Sequence, residues 1–313
     1  MRRFSLLCVI ALAAACSLVD RTTGVKAPGG PLAMLNDPSR VDTGGGRLPD
    51  LIVDPKITSQ QWLVRDENLP ATYCSVEEGG VTPGVRRVIR FTVMTPNIGT
   101  ADNFIGNPLD HVDPNHDGTF SNGVWSDPTP DNDGLYEFAS CHQHFHFKHY
   151  ALYQLIDPAT GFVWKAAKKG FCMLDTDPNP AYFGQPPREG QFRSCGGIGI
   201  PGNQGISSGW ADTYRFFLGG QYFVLDGGDG QPVVPPGTYV IRITVNPPFA
   251  AKKGEACPFK DTNGFCHQLP ETNYDDNVGQ TTINIPDHPG RAGVGPLAGD
   301  KTPTEECEHG CNP

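Results

Sequence analysis

A chain of 313 residues with a formal charge of −10 has room for one large domain or two ordinary ones, and it has no basic stripe, so nucleic acid is excluded as a partner. An acidic surface steers toward cationic partners instead. Glycine (38) and proline (30) are abundant and gather between short β-branched or aromatic runs, which predicts an all-β protein: a β-sandwich-like core with long loops and few or no long helices.

The chain opens with "MRRF", a short positive stretch, and "SLLCVIALAAA", an apolar run too short to span a bilayer. With Ala13, Ala14 and Ala15 ahead of Cys16, it resembles the lipobox of bacterial lipoproteins. Residues 1–16 are therefore read as an export signal. The outcomes are a cell-envelope lipoprotein tethered to the membrane through lipidated Cys16, or a secreted protein cut after an A-x-A site. Residues 17–48 carry no apolar periodicity, end in a glycine run and read as a flexible tether. From 49 to 287 the pattern becomes that of strands: "RRVIRFTVM", "HYALYQLID", "GFVWKAA", "QYFVLD", "TYVIRITVNP" and "QTTINI", separated by Gly/Pro/Asn/Asp turns. Residues 288–313 form a Gly/Pro-rich tail. Within the strand region, "DPNHDG" (Asp113 to Gly118) opens like a calcium loop, but Val124 stands where the loop needs glutamate, so it reads as a turn-rich insertion.

Ten cysteines, less Cys8 in the apolar run and Cys16 at the cleavage point, leave eight for an oxidising compartment and suggest disulfides. Cys257–Cys266 and Cys307–Cys311 are close enough in sequence to be local pairs. Cys74, Cys141, Cys172 and Cys195 allow three pairings.

In "ASCHQHFHFKHYALYQLI", residues 139–156, His142, His144 and His146 occupy alternate positions. On a strand they share one side, and Phe145 and Phe147 face the opposite way, into a core. Imidazole suits copper, zinc, iron and nickel, and an all-imidazole set is typical of copper or zinc, a choice these residues leave open. On a straight strand the outer Cα atoms stand about 13 Å apart, so the strand must bend or the outer rings lean inward. The competing reading is a solvated polar strand face, disfavoured because three of only nine histidines fall on one alternation. His149 has the opposite parity and reads as exposed or outside the ligand set. Base rates alone make Lys168 a surface lysine and Tyr214 a core tyrosine.

"SCHQHFHF" resembles the copper-binding signature of the lysyl oxidase family. "KKGFCMLDT", "QGISSGWADTY", "PPGTYVIRITVNP" and "PETNYDDN" follow in the family's order, so the resemblance spans most of residues 74–285. It implies Cu(II) held by His142, His144 and His146, and a covalent lysine tyrosylquinone cofactor built from Lys168 and Tyr214, with Lys169 as the adjacent register. It implies a Cys141–Cys195 disulfide, which leaves Cys74 for Cys172. The implied activity is a copper-dependent amine oxidase that uses O2 to convert primary amines or peptidyl lysine to aldehydes, releasing ammonia and hydrogen peroxide. Such a reaction needs a base for the α-proton, and Asp212 in "ADTY" is the candidate. Two other classes compete: a non-catalytic copper-binding surface protein and an immunoglobulin-like adhesion module.

Overall fold

The structure is a computed structural model that describes residues 47–112, 135–179, 189–252 and 256–304. The export signal, nearly all of the tether, the calcium-like loop and the Cys307–Cys311 pair lie outside the described residues.

The described chain is mostly strand. It runs α1 (Pro55–Gln60), β1 (Trp62–Leu69), α2 (Cys74–Gly79), β2 (Gly84–Phe91), β3 (Val93–Pro96), β4 (Asn103–Gly106) and α3 (Leu109–Val112). It continues with β5 (Tyr136–Ala139), β6 (His144–Phe147), β7 (Ala151–Ile156), β8 (Val163–Lys165), β9 (Asp177–Pro178), β10 (Gln204–Ile206) and β11 (Trp210–Tyr214). Last come β12 (Tyr222–Val224), β13 (Gly237–Val245), β14 (Phe259–Lys260), β15 (Cys266–His267) and β16 (Val278–Ile285). All six runs singled out in the sequence contain strands, and no described helix is long and apolar enough to cross a membrane. β1 went unread because Arg65, Asp66 and Glu67 interrupt its apolar alternation.

The largest sheet orders β16-β13-β7-β8, all neighbours antiparallel. β16 alternates exposed and buried along its whole length, as a sheet with one covered face requires. Its inner face, with Tyr153, Leu155, Ile241, Ile243 and Ile283, shares one core with Ile89, Phe91 and Phe223 of the β1-β2-β12 sheet. Phe91 packs at once on Tyr153 (5.4 Å) and Phe223 (5.1 Å), so aromatic contacts join the two layers. A third sheet, β3-β11-β9, carries Asp212 and Tyr214 on its middle strand.

Two buried polar networks close the ends of this core. Arg90 is fully buried; Nε donates to Glu67 Oε2 (2.9 Å), Nη2 to Glu67 Oε1 (2.8 Å), and Nη1 to the carbonyls of Phe216 and Leu218. Glu67 also accepts from Arg65 Nε and Thr304 Oγ1. Burial alone would raise the Glu67 pKa, but the charges and hydrogen bonds of Arg90 and Arg65 outweigh it and hold it at about 2. In the second network, buried Glu271 accepts from Leu51 N, Asn246 Nδ2 and Asn277 Nδ2, tying the first described segment to the turn before β16. Residues 288–304, expected as a tail, lie along β1: Val294 and Val64 exchange backbone hydrogen bonds. Gly293 makes this approach feasible, because at φ +76° a Cβ there would stand 2.5 Å from Leu63 Cδ1.

Candidate metal and cofactor site

β5 and β6 form a hairpin with Ala139 opposite His144 and Tyr136 opposite Phe147. Residues 140–143 are its turn. Gln143 sits at φ 59° and its N–H donates to Ala139 O. His142 is therefore in the turn, and the expectation of three histidines along one strand is corrected: only His144 and His146 share the strand face. The turn removes the 13 Å problem, since reversing the chain brings His142 back over the other two. Ring centroids are 5.5 Å apart for His142–His144, 5.1 Å for His142–His146 and 4.9 Å for His144–His146. Phe145 and Phe147 point into the core, as the alternation predicts. His149 is exposed.

The donor set suits a metal of imidazole preference. His144 Nε2 and His146 Nε2 are 3.1 Å apart. Two nitrogens each about 2.0 Å from one ion, at roughly a right angle, would stand about 3 Å apart. Burial, reinforced by His142 and Lys168, lowers the His144 pKa to about 4, and burial with Lys168 pushes that of His146 well down. Both rings are thus neutral and able to bind a cation. Among the described residues no three donors are already closed around one point. His142 stands furthest out.

The lysine segment lies directly against this hairpin. Phe147 N donates to Phe171 O at 2.6 Å, and Gly170 passes so close to His146 that a Cβ would meet its Cβ and Nδ1 at 2.6 Å. This places Lys168 Nζ 5.0 Å above the Tyr214 ring and 5.9 Å from that of Phe171, whereas Lys169 is exposed. Tyr214 is buried. Its hydroxyl accepts from Cys172 N (2.7 Å) and donates to Cys172 O (2.9 Å), and its ring meets Phe171 edge-on at 88°. Burial and then Asp212 push its phenol well above the ordinary value. Asp212, two residues earlier on β11, is 2% exposed, and its Oδ2 has no hydrogen-bond partner among the described residues. Burial raises its pKa well above the carboxylate range, opposed by the Lys168 charge and a Tyr150 hydrogen bond and reinforced by Asp175.

The disulfides differ from the implied pairing. The bonds are Cys74–Cys141 and Cys172–Cys195, each with Cα atoms 5.5 Å apart, together with the expected Cys257–Cys266. Gln204 explains the second: its side chain accepts from Met173 N and donates to Cys195 O, drawing those segments together. Cys141, in the hairpin turn, then meets Cys74 at the start of α2. That bond delivers a residue the sequence did not flag. Glu78 Oε2 lies 3.0 Å from His142 Nδ1, a close contact without hydrogen-bond alignment. Glu137, opposite His146 across the hairpin, has its pKa raised by burial, Lys148 opposing and Glu78 adding to it. The signal for Glu78 was its spacing from Cys74, legible only with the correct disulfide partner.

Comparison with known proteins decides the family. A family model for lysyl oxidase matches residues 120–282, which is 163 of the 313 residues. The chain belongs to the lysyl oxidase family. It is 29% identical over 222 residues to human lysyl oxidase homolog 1, covering 67% of this chain and 32% of that protein. It is 24% identical over 253 residues to rat protein-lysine 6-oxidase (77% and 47%) and to the pig protein of the same name (77% and 78%). The chain thus spans about a third of the length of the lysyl oxidase homolog 1 proteins it matches. The lysyl oxidase match contains the hairpin, Lys168 and β11.

Proposed function

We propose that this member of the lysyl oxidase family is a copper-dependent amine oxidase acting on primary amines or peptidyl lysine, with Lys168 and Tyr214 as the precursors of a lysine tyrosylquinone. His142, His144 and His146 would hold the copper. When bound, copper and the quinone supply the redox chemistry: oxidation of Tyr214 by O2, then removal of two electrons from the amine as aldehyde, ammonia and peroxide are released.

The observation that carries this reading is the Lys168 amine held 5.0 Å over the Tyr214 ring, in a segment packed on the histidine hairpin. A lysine and a tyrosine each buried for structural reasons have no need to meet beside three imidazoles. Chain residues then have separable tasks. Cys172 grips the Tyr214 hydroxyl from both backbone groups and Phe171 fixes the ring plane, so the ring presents one face to Lys168. Asp212, with an unpartnered oxygen and the Lys168 charge favouring its ionised form against burial, is suited to accept the substrate's α-proton. Glu78 orients His142 through Nδ1 and leaves Nε2 for the ion. Three disulfides support an oxidising, exported setting, with a lipid tether at Cys16 as the proposed anchor.

The test is peptide mapping of copper-loaded, oxygen-exposed protein, together with peroxide release on adding a primary amine. A 168–214 cross-link with amine-dependent peroxide supports the oxidase. Tight copper binding with neither of them would transfer the protein to the non-catalytic copper-binding class.

A further inference from the structure

Thr95 on β3 lies opposite Asp212 on β11, and its Oγ1 donates to the Asp212 carbonyl at 3.0 Å. The same Thr95 oxygen is hydrogen-bonded to the Tyr150 hydroxyl. Both residues are buried. Tyr150 is held at two points: its carbonyl accepts from Asn246 N (2.7 Å), and its ring meets that of Phe171 edge-on at 5.3 Å. Phe171 packs in the same way on Tyr214. Proton counting fixes the direction of the Thr95–Tyr150 bond. A hydroxyl has one hydrogen and a carbonyl only accepts, so with the Thr95 hydrogen on the Asp212 carbonyl, Tyr150 is the donor to Thr95. Tyr150 also meets the Asp212 carboxyl. In this arrangement it offers a lone pair there, which suits a protonated carboxyl. Turning both hydroxyls reverses the chain: Thr95 donates to Tyr150, and Tyr150 donates to an ionised Asp212. No heavy atom has to move. The reversed arrangement exchanges a neutral bond to the carbonyl for a stronger, charge-assisted bond to the carboxylate.

We propose that Thr95 and Tyr150 form a two-position hydrogen-bond switch that serves the Asp212 carboxyl both with and without its proton, making Tyr150 a positioning residue for proton removal. The inference rests on the amine-oxidase reading, in which Asp212 takes the substrate's α-proton. It adds how a buried carboxyl can hold that proton and give it up again. The other groups facing Asp212 are committed elsewhere. Asp175 accepts from Gln191 N, Phe192 N and both Ser207 donors. Asp177 pairs with Arg215 at 2.8 Å, and the Tyr214 hydroxyl is taken by the two backbone groups of Cys172. Lys168 acts on Asp212 through its charge, and the Tyr153 hydroxyl lies beside Gln221. Tyr150 is the hydroxyl placed to answer a change of charge on Asp212.

The experiment follows kcat/KM for butylamine against pH on copper-loaded full-length protein. Tyr150→Phe takes a donor from the ionised carboxyl, raises its pKa and should move the acidic limb up by about one pH unit. Thr95→Val leaves the Tyr150 hydrogen no acceptor but the carboxyl, and should move the limb down by about one unit. Thr95→Ala carries the same expectation if the valine variant does not fold. Thr95→Ser keeps a hydroxyl and should hold the limb at its wild-type position. Metal analysis and peptide mapping should find copper and the 168–214 cross-link retained. Opposite shifts uphold the switch, because a merely structural loss would move the limb the same way in both variants. Parallel shifts, or none, overturn it. Should no amine yield peroxide, the activity reading has failed on its own account. The switch is then decided on copper-free protein by infrared titration, with the Asp212→Asn spectrum subtracted to isolate the Asp212 carboxyl band. Opposite displacements of its midpoint in Tyr150→Phe and Thr95→Val uphold the switch, and parallel or absent displacements reject it.

Discussion

Two buried polar regions of this protein are built in opposite ways. Around Glu67 the carboxylate accepts from Arg90, Arg65 and Thr304, and the remaining Arg90 donors meet two backbone carbonyls. Around Asp212 a buried carboxyl oxygen has no hydrogen-bond partner among the described residues, burial lowers the pKa of two histidines, and a lysine amine lies over a tyrosine ring. The same kind of group, buried in both places, has its pKa held at about 2 in one and driven well upward in the other. The difference teaches that burial alone does not mark a site. A fully satisfied network joins β1, β2 and the closing segment, while unspent hydrogen-bonding and charge capacity is retained where the proposed oxidase chemistry would have to handle a proton, a metal and a new covalent bond.

Mutation should separate the two regions sharply. The largest effect on activity belongs to Tyr214→Phe and Lys168→Ala: amine-dependent peroxide should fall to background while copper content, measured by metal analysis, stays at the wild-type level. Lys169→Ala should keep the 168–214 cross-link. Tyr214→Phe leaves Cys172 N without its acceptor and should lower stability by about 1–3 kcal/mol. Loss of copper from either variant would blur the comparison, because it would make the pair part of the metal scaffold.

The largest effect on stability should lie in the other region. Arg90→Ala strands Glu67 as a buried, largely uncompensated charge, and urea denaturation should record a loss of about 3–5 kcal/mol. Asp212→Asn, which replaces a buried carboxyl whose Oδ2 has no hydrogen-bond partner among the described residues, should be neutral or stabilising by the same measurement while abolishing turnover. Equal losses from the two substitutions would break the contrast.

Acid titration reads the first region alone. Glu67 has a folded pKa of about 2 against an ordinary 4.5, so the folded state binds its proton less well than the unfolded state does. Its contribution, roughly 3 kcal/mol, is complete above about pH 5 and is lost as pH falls toward 2. Glu67→Gln should flatten that acid limb of the stability profile; an unchanged limb would mean that other carboxylates carry it.

The smallest effect sharpens the boundary of the second region. Glu78→Gln should weaken copper binding about 10- to 100-fold in competition with a chelator, since a neutral amide supports the His142 imidazole less well. Glu77→Gln, one residue earlier and exposed, serves as the control and should leave affinity unchanged. Matching affinities in the two variants would reduce Glu78 to a surface charge.

Much of this protein follows from local pattern. Period-two alternation in "YVIRITV" and "QTTINI" specifies strands with one covered face, because a strand's side chains alternate whatever the partner. The same rule sends Phe145 and Phe147 to the core and His144 and His146 to the other side. The family resemblance picked out Lys168 and Tyr214, which no composition or spacing would have raised above base rates. Tertiary structure decided the rest. A hairpin turn needs only one residue at positive φ, so Gln143 moved His142 off the strand where alternation had put it. Disulfide partners depend on which segments meet in space, and Gln204, bonded to Met173 and Cys195 at once, brought together two cysteines that sequence could not pair. That pairing left Cys74 for Cys141 and carried Glu78 to His142. Long-range contact is fixed by packing between elements far apart in the chain, and neither period nor spacing encodes it.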